Sequence, residues 1–68
     1  MDIRTYLQER GITQAEFAAS LGVTQSMVGH WVSGRHRVTA ERAAQIEHTT
    51  GGAISRSELR PDVLWAAA

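Results

Sequence analysis

The part of the sequence best suited to binding another molecule through hydrogen bonds is a run of small and polar side chains between positions 24 and 33. In a helix these side chains share one face, made of Thr24, Gln25, Ser26, Gly29, His30 and Ser33. None of them is acidic, so the face can approach a polyanion. A glutamine amide can bond an adenine edge through two hydrogen bonds, serine can bond several bases or a phosphate, and glycine allows close approach. The face therefore favours contact with double-stranded DNA over the plainer alternative, the polar exterior of two packed amphipathic helices.

Two short helices joined by a tight turn are predicted to position this face. Thr13 and Glu16 have the spacing of a capping box, which starts the first helix, and Gly22 ends it. Thr24 caps the second helix, and Gly34 ends it. The apolar residues spaced to bury the inner side of the second helix are Val28, Trp31 and Val32. About two residues separate the helices, so the pattern predicts a steeply crossing helix-turn-helix.

Other residues near this motif are suited to holding phosphate groups. Gln14 lies in the first turn of the preceding helix, where free N–H groups suit a phosphate. Arg35 and Arg37 flank His36 in the segment after Gly34, and we interpret both arginines as phosphate contacts. The alternative is a solvated pair of loop charges, because short basic clusters are common on protein surfaces.

The segment from Gln14 to Gly34 resembles the helix-turn-helix of lambda-repressor-like and Cro-like regulators, and residues 24–34 look like their recognition helix. Later segments resemble the YdaS group of Cro-like proteins, which are often encoded in prophages. These segments are Ala40-Glu41-Arg42, Ile46-Glu47, Thr50-Gly51-Gly52 and Leu59-Arg60-Pro61-Asp62. The resemblance covers nearly the whole chain and implies an all-helical fold that binds a DNA operator.

The resemblance also implies roles for single residues. The positions that would face bases are Gln25, Ser26, Gly29 and His30. The positions assigned to the DNA backbone, partly from the residue chemistry above, are Gln14, Thr24, Ser33, Arg35 and Arg37. Many relatives carry Lys or Arg on the recognition helix, whereas this chain carries neither from Thr24 to Gly34.

The length and charge of the chain restrict what kind of protein it can be. With 68 residues the chain is predicted to form one domain, near the size at which a partner subunit helps folding. Seven Arg balance seven acidic residues, giving a formal net charge of +0, but residues 17–40 contain no Asp or Glu. This distribution can steer one face toward phosphates. Non-specific DNA binding should be weak, because it scales with the number of phosphates neutralised.

The remaining helices are predicted from their caps and apolar spacing. Asp2 caps a first helix that Gly11 ends, and its inner stripe is Ile3, Tyr6 and Leu7. Thr39 caps a fourth helix that ends at Gly51-Gly52. Its inward residues are predicted to be Ala40, Ala43 and Ile46 or Ala44, and its outward residues Glu41, Arg42, Gln45 and Glu47.

The C-terminal part is predicted to contain one more short helix and an apolar tail. Ser55 and Glu58 have the spacing of a second capping box, and Pro61 should stop the helix by disfavouring helical geometry at Arg60. We divide the chain into a DNA-binding domain, residues 1–62, and a tail, residues 63–68. Val63, Leu64 and Trp65 could form an interface, fold back on the core or pair as an edge strand. We favour the interface slightly over folding back.

The sequence offers little for other classes of function. It lacks a Gly-rich phosphate loop, a nucleophile elbow and a zinc-protease motif, so we expect no enzyme. It has no cysteine, and His30, His36 and His48 are irregularly spaced, so we expect neither a metal nor another cofactor, and no small-molecule ligand. Trp31 shares a face with Val28, which favours a core role over base stacking. No signal peptide or bilayer-spanning run is present, which predicts a soluble, cytoplasmic, nucleoid-associated protein.

These observations predict an all-α, lambda-repressor-like DNA-binding domain of four to five short helices. The predicted function is a dimeric repressor of Cro type that binds a pseudo-palindromic operator with the helix at about 24–33 in the major groove. The alternative is a protein-interaction module, such as an antitoxin whose apolar tail binds a toxin.

Overall fold

The computed structural model describes residues 1–65 and confirms the predicted all-helical class. Its helices are α1 (Ile3–Arg10), α2 (Gln14–Leu21), α3 (Gln25–Ser33), α4 (Ala40–Thr49) and α5 (Arg56–Leu59). The part of the chain described contains no strand. None of these helices is long and apolar enough to cross a membrane. Residues 66–68 of the predicted tail lie outside the described residues.

Each helix begins at a polar residue whose side chain accepts a hydrogen bond from a backbone N–H in the first turn. The five capping residues are Asp2, Thr13, Thr24, Thr39 and Ser55. All five were predicted from sequence, and both predicted capping boxes are present. The helix starts are therefore encoded locally, because each cap satisfies a donor that the helix itself leaves unpaired.

Two glycines define the ends of the helix-turn-helix. Gly22 follows α2 with φ of 73°, and Gly34 follows α3 with φ of 79°. Both values lie in the left-handed region, where a Cβ atom would be strained. The N–H of Gly22 reaches back to the carbonyls of α2, so the chain turns directly into the cap of α3.

The core forms where α1, α2, α3 and α4 meet. Its buried apolar residues are Ile3, Tyr6, Leu7, Phe17, Ala18, Leu21, Val28, Val38, Ala43, Ile46 and Ile54. Helix α2 packs chiefly against α3, as a helix-turn-helix requires. Val38 and Ile54 were not predicted as core residues, since both lie in connecting segments without helical periodicity. Thr50 is buried beside them, where its Oγ1 donates to the Ile46 carbonyl (2.8 Å) and accepts from the Ile54 N–H (3.2 Å).

The outward face predicted for α4 is wrong in part. Arg42 and Gln45 are half-buried and both donate to the carbonyl of Leu21, over 3.3 and 3.0 Å. Their side chains satisfy a carbonyl at the C-terminal end of α2, which has no partner within its own helix. Glu47 is also half-buried and accepts from the backbone N–H (3.0 Å) and the Nε (2.8 Å) of Arg56. These contacts join α4 to α2 and α5.

The inner face predicted for α3 is only partly buried. Val28 is fully buried, whereas Trp31 and Val32 are half-buried and pack at the margin of the core. The reason is the open cleft between the start of α1 and the end of α3, which both residues line. Trp31 therefore supports the core from its edge.

The described part of the apolar tail, residues 63–65, does not extend freely from the domain. Helix α5 ends before Pro61 as predicted, with Arg60 in a non-helical conformation (φ −135°, ψ 73°). Trp65 then folds back: its Nε1 donates to the Arg60 carbonyl (3.2 Å), and the Arg56 guanidinium lies 5.3 Å from its ring centroid. Val63 is half-buried, whereas Leu64 is 96% exposed. The three residues are thus not one exposed cluster.

Acid is expected to destabilise this fold as its hydrogen-bonded carboxylates become protonated. The Arg56 backbone N–H and guanidinium lower the pKa of Glu47, the Thr13 N–H lowers the pKa of Glu16, and Arg60 lowers the pKa of Asp62 to about 2. Each folded-state pKa lies below its ordinary value of 4.5 for Glu or 3.8 for Asp, so the unfolded chain takes up protons first as the pH falls. The stabilisation is complete above these ordinary values and is lost as the pH drops through the folded-state values.

The measurement is the melting temperature, followed by circular dichroism from pH 7 to pH 2. We expect it to fall from about pH 4.5 downward, and we expect Glu47→Gln to remove part of that fall. An acid profile identical in Glu47→Gln and the wild type would contradict a stabilising role for the Glu47–Arg56 contact.

Candidate nucleic-acid interface

The polar side of α3 faces outward, but its residues are not equally accessible. Gln25, Ser26 and Ser33 are exposed, as is the capping residue Thr24, whereas Gly29 and His30 are half-buried. Thr24 Oγ1 already accepts from the Met27 N–H (3.2 Å), and Ser33 donates its hydroxyl proton to the His30 carbonyl (3.2 Å). Gln25 and Ser26 thus combine exposure with positions in the first turn of α3, where unpaired N–H groups attract anions.

Gln14 lies directly against the middle of this face. The side chain is half-buried, and its Oε1 would lie 3.4 Å from a Cβ atom placed on Gly29. The Gln14 amide therefore lies at van der Waals distance from the place that a Cβ atom at position 29 would take. The helix-turn-helix brings together two residues that are fifteen positions apart, and both were assigned to the interface from the sequence.

The two histidines at the end of α3 form a pair that sequence reasoning missed. The ring centroids of His30 and His36 are 4.8 Å apart in an edge-on arrangement, with an interplanar angle of 64°. The backbone N–H of His36 also donates to the His30 carbonyl (3.3 Å). The left-handed turn at Gly34 brings His36 back toward the helix. Gly34, which is typical of such a turn, was the only feature of the sequence that pointed to this pair. The irregular spacing of the histidines in the sequence did not indicate that two of their rings would meet.

Among residues 1–65, no group of three or more His, Asp or Glu side chains is arranged to hold a metal ion.

The two arginines after α3 have different surroundings. Arg35 is exposed and makes no ion pair among residues 1–65. Arg37 is also exposed, but its Nη1 lies 3.4 Å from Asp62 Oδ2. Asp62 is twenty-five positions away in the chain, so no local pattern could have revealed this contact. Arg35 thus presents a free guanidinium, whereas Arg37 presents one shared with a carboxylate.

A shallow apolar groove runs beside α3, away from Gln25. Val23, Met27 and Trp31 line it, and Arg37 and Arg42 lie at its margin. Met27 is 40% exposed. The groove separates the polar face of α3 from the start of α4.

Comparison with known proteins identifies a family and two relatives of this chain. A family model described as bacterial toxin YdaS matches residues 7–68. The putative transcriptional regulator YdaS of Escherichia coli (strain K12) is 40% identical over 53 residues, which cover 78% of this chain and 54% of that protein. The regulatory protein cro of Pseudomonas phage D3 is 40% identical over 53 residues, covering 78% of this chain and 73% of that protein. The chain thus spans about half the length of the Escherichia coli relative. No solved structure matches significantly.

Proposed function

The chain belongs to the family described as bacterial toxin YdaS, and we propose that it is a DNA-binding transcriptional regulator that acts as a repressor of Cro type. Two relatives, one named a putative transcriptional regulator and the other a regulatory protein cro, support this assignment. The protein would bind a pseudo-palindromic operator in the cytoplasm, on the nucleoid, and exclude polymerase from a promoter.

The observation that carries the proposal is the exposed, acid-free face of α3. Gln25 and Ser26 project from its first turn, and the half-buried Gly29 and His30 lie one turn further on. A helix presented in this way fits the major groove, with its N-terminal residues against the base edges. The residues that would contact the DNA backbone, and so set the register of the helix in the groove, are Gln14, Thr24, Ser33, Arg35 and Arg37.

A twofold dimer is part of this proposal. One recognition helix reads about four or five base pairs, which is too few to select an operator among about a million or more competing sites. Two half-sites read together would lie about 34 Å apart, one turn of the duplex. Leu64, which projects from the C-terminal turn with 96% of its surface exposed, is the proposed centre of the dimer contact.

The direct test is nuclease protection by the purified protein on DNA from upstream of its gene and of the divergent neighbouring gene. We expect a protected site with two similar half-sites related by a twofold axis. Failure to protect any sequence in these regions, by a folded protein at micromolar concentration, would count against the repressor assignment.

Replacing Gln25 with alanine should reduce operator binding selectively. A bidentate contact between an amide and a base is worth about 1–3 kcal/mol, so affinity for the operator should fall by about five- to 150-fold and preference at one base position should be lost. The measurement is a titration of labelled operator and random duplex at fixed salt.

Arg35→Ala is the matched comparison for this prediction, because Arg35 is exposed and assigned to the backbone. It should weaken binding to operator and random DNA alike, and reduce the slope of log affinity against log salt by about one phosphate contact. Equal losses on operator and random DNA for Gln25→Ala would show that Gln25 does not read a base.

The alternative is a protein-interaction module, such as an antitoxin that binds a toxin. Two features leave it open: the family is described as a toxin rather than as a regulator, and the apolar side chains of Leu64 and Met27 are exposed. Co-expression with the products of neighbouring genes tests it. A stable stoichiometric complex, together with no protection of upstream DNA, would favour this alternative over the repressor.

A further inference from the structure

The C-terminal turn carries a carboxylate that is held by two guanidinium groups. Arg60 donates to Asp62 from Nε (2.9 Å) and from Nη2 (2.7 Å), and Arg37 approaches the same carboxylate at 3.4 Å. The two parallel hydrogen bonds from Arg60 fix the plane of the carboxylate. Arg37 comes from the loop after α3, so this cluster joins the tail to the proposed DNA-contacting loop.

Arg60 is itself held by the rest of the domain. Its Nη1 donates to the carbonyl of Val38, a buried residue in the same loop as Arg37, over 3.1 Å. Its own carbonyl accepts from Trp65 Nε1 over 3.2 Å. The Asp62 carboxylate is therefore anchored at a defined point beside the loop, unlike an isolated surface pair that must order two long side chains.

Arg37 remains open to a second anion. Its side chain is 67% exposed, and its contact with Asp62 is longer than either contact from Arg60. A DNA phosphate that reaches Arg37 would either displace this contact or share the guanidinium with Asp62. In both cases the fixed negative charge of Asp62 opposes the phosphate, at a distance where charges are not fully screened at physiological salt.

We propose that Asp62 is an affinity-setting residue of the DNA interface, an internal competitor that occupies Arg37 in place of a DNA phosphate. The proposal rests on the proposed function, because it assigns Arg37 to the DNA backbone. It extends the interface to a residue of the C-terminal turn that contacts no base. Most non-specific binding to DNA comes from phosphate contacts, so such a competitor lowers the non-specific affinity. The recognition helix of this protein has no basic side chain other than histidine, so it adds little to that affinity.

The test compares DNA binding by the wild type, Asp62→Asn and Glu9→Gln. The last variant is the matched control, because it removes one negative charge from an exposed residue of α1 far along the chain from the cluster. We expect Asp62→Asn to raise affinity for operator and random DNA by about two- to five-fold more than the control, the range of an exposed ion pair. The slope of log affinity against log salt should steepen by up to about one phosphate contact.

The Arg37→Ala background identifies the group that Asp62 occupies. In the Arg37→Ala protein, adding Asp62→Asn should raise the affinity for DNA no more than adding Glu9→Gln does. If Asp62→Asn still raised the affinity for DNA in the absence of Arg37, the effect would come from Arg60 or from the overall electrostatic field of the protein. That result would overturn the proposal. Equal affinities for Asp62→Asn and Glu9→Gln in the wild-type background would also overturn it.

Folding and the underlying function are controlled separately. Melting curves establish that each variant is folded, and Asp62→Ser provides a second replacement. If both replacements of Asp62 unfold the protein, the carboxylate is a structural element and the competitor role is wrong. If the folded wild type binds no DNA, the proposed function fails and the role of Asp62 fails with it. Normal wild-type binding with an inert Asp62→Asn rejects the role of Asp62 alone.

Discussion

Replacing Ile46 with alanine is expected to leave most of the protein unfolded at room temperature. Ile46 is fully buried in α4, at the centre of the core. Truncating a buried isoleucine to alanine costs about 2–5 kcal/mol, through lost burial and the cavity that remains. A chain below about 70–80 residues rarely has more than about 3–5 kcal/mol of stability from a single core. The measurement is the free energy of unfolding from urea titrations followed by circular dichroism.

Trp31→Ala is the comparison for this experiment. A fully buried tryptophan would make it at least as damaging, but Trp31 is half-buried at the edge of the core. We therefore expect a smaller loss of stability for Trp31→Ala than for Ile46→Ala, although tryptophan is the larger side chain. The reverse order would mean that the core is centred on α3 and its cleft, not on α4.

Replacing Leu64 with aspartate is expected to abolish the proposed dimer and with it most of the operator affinity. Leu64 is 96% exposed, so the substitution breaks no contact within the chain and the melting temperature should hardly change. A charge at the centre of an apolar contact would have to be desolvated without a partner, which is costly. A monomer loses the benefit of reading two half-sites together, so we expect operator affinity to fall by about 100-fold or more.

Sedimentation and operator titration measure this result in parallel. Gln8→Asp, which adds the same charge at an exposed position on α1, is the control and should retain the mass and affinity of the wild type. A Leu64→Asp protein with unchanged mass and unchanged operator affinity would exclude the C-terminal turn as the interface. This point substitution is sharper than removal of residues 63–68, because removal would also delete the packing of Trp65 on the Arg60 carbonyl.

Local sequence signals predicted the starts of all five helices and the ends of α1, α2 and α3. Thr13, Glu16 and Gly22 bracket α2, and Thr24 and Gly34 bracket α3, at the positions predicted. These signals are sufficient because each cap acts within about one turn of its own residue, so its partner is known from spacing alone. The acid-free polar face of α3 follows in the same way from helical periodicity, which orders side chains around a helix before any packing is known.

The sequence could not determine which polar side chains the helices place against one another. Arg42 and Gln45 have the spacing of an outward face, yet they bind the Leu21 carbonyl because α4 crosses the end of α2. The burial of Ile54 likewise depends on the turn after α4, where Thr50 accepts its N–H. The spacing pattern that identifies the buried face of a helix does not extend into connecting segments. The hydrophobicity of Ile54 was therefore not enough to identify it as a core residue.

The contacts around the candidate interface also depend on how distant parts of the chain pack together. Residue type and spacing led to the proposed DNA contacts of Gln25 and Arg37, but the contact between Asp62 and Arg37 is visible only in the tertiary structure. This contact joins residues twenty-five positions apart, and it forms only when the C-terminal turn folds back over the loop after α3. The free energy of such a contact depends on the position of both partners, whereas a cap or a periodic stripe depends only on the order of residues along the chain.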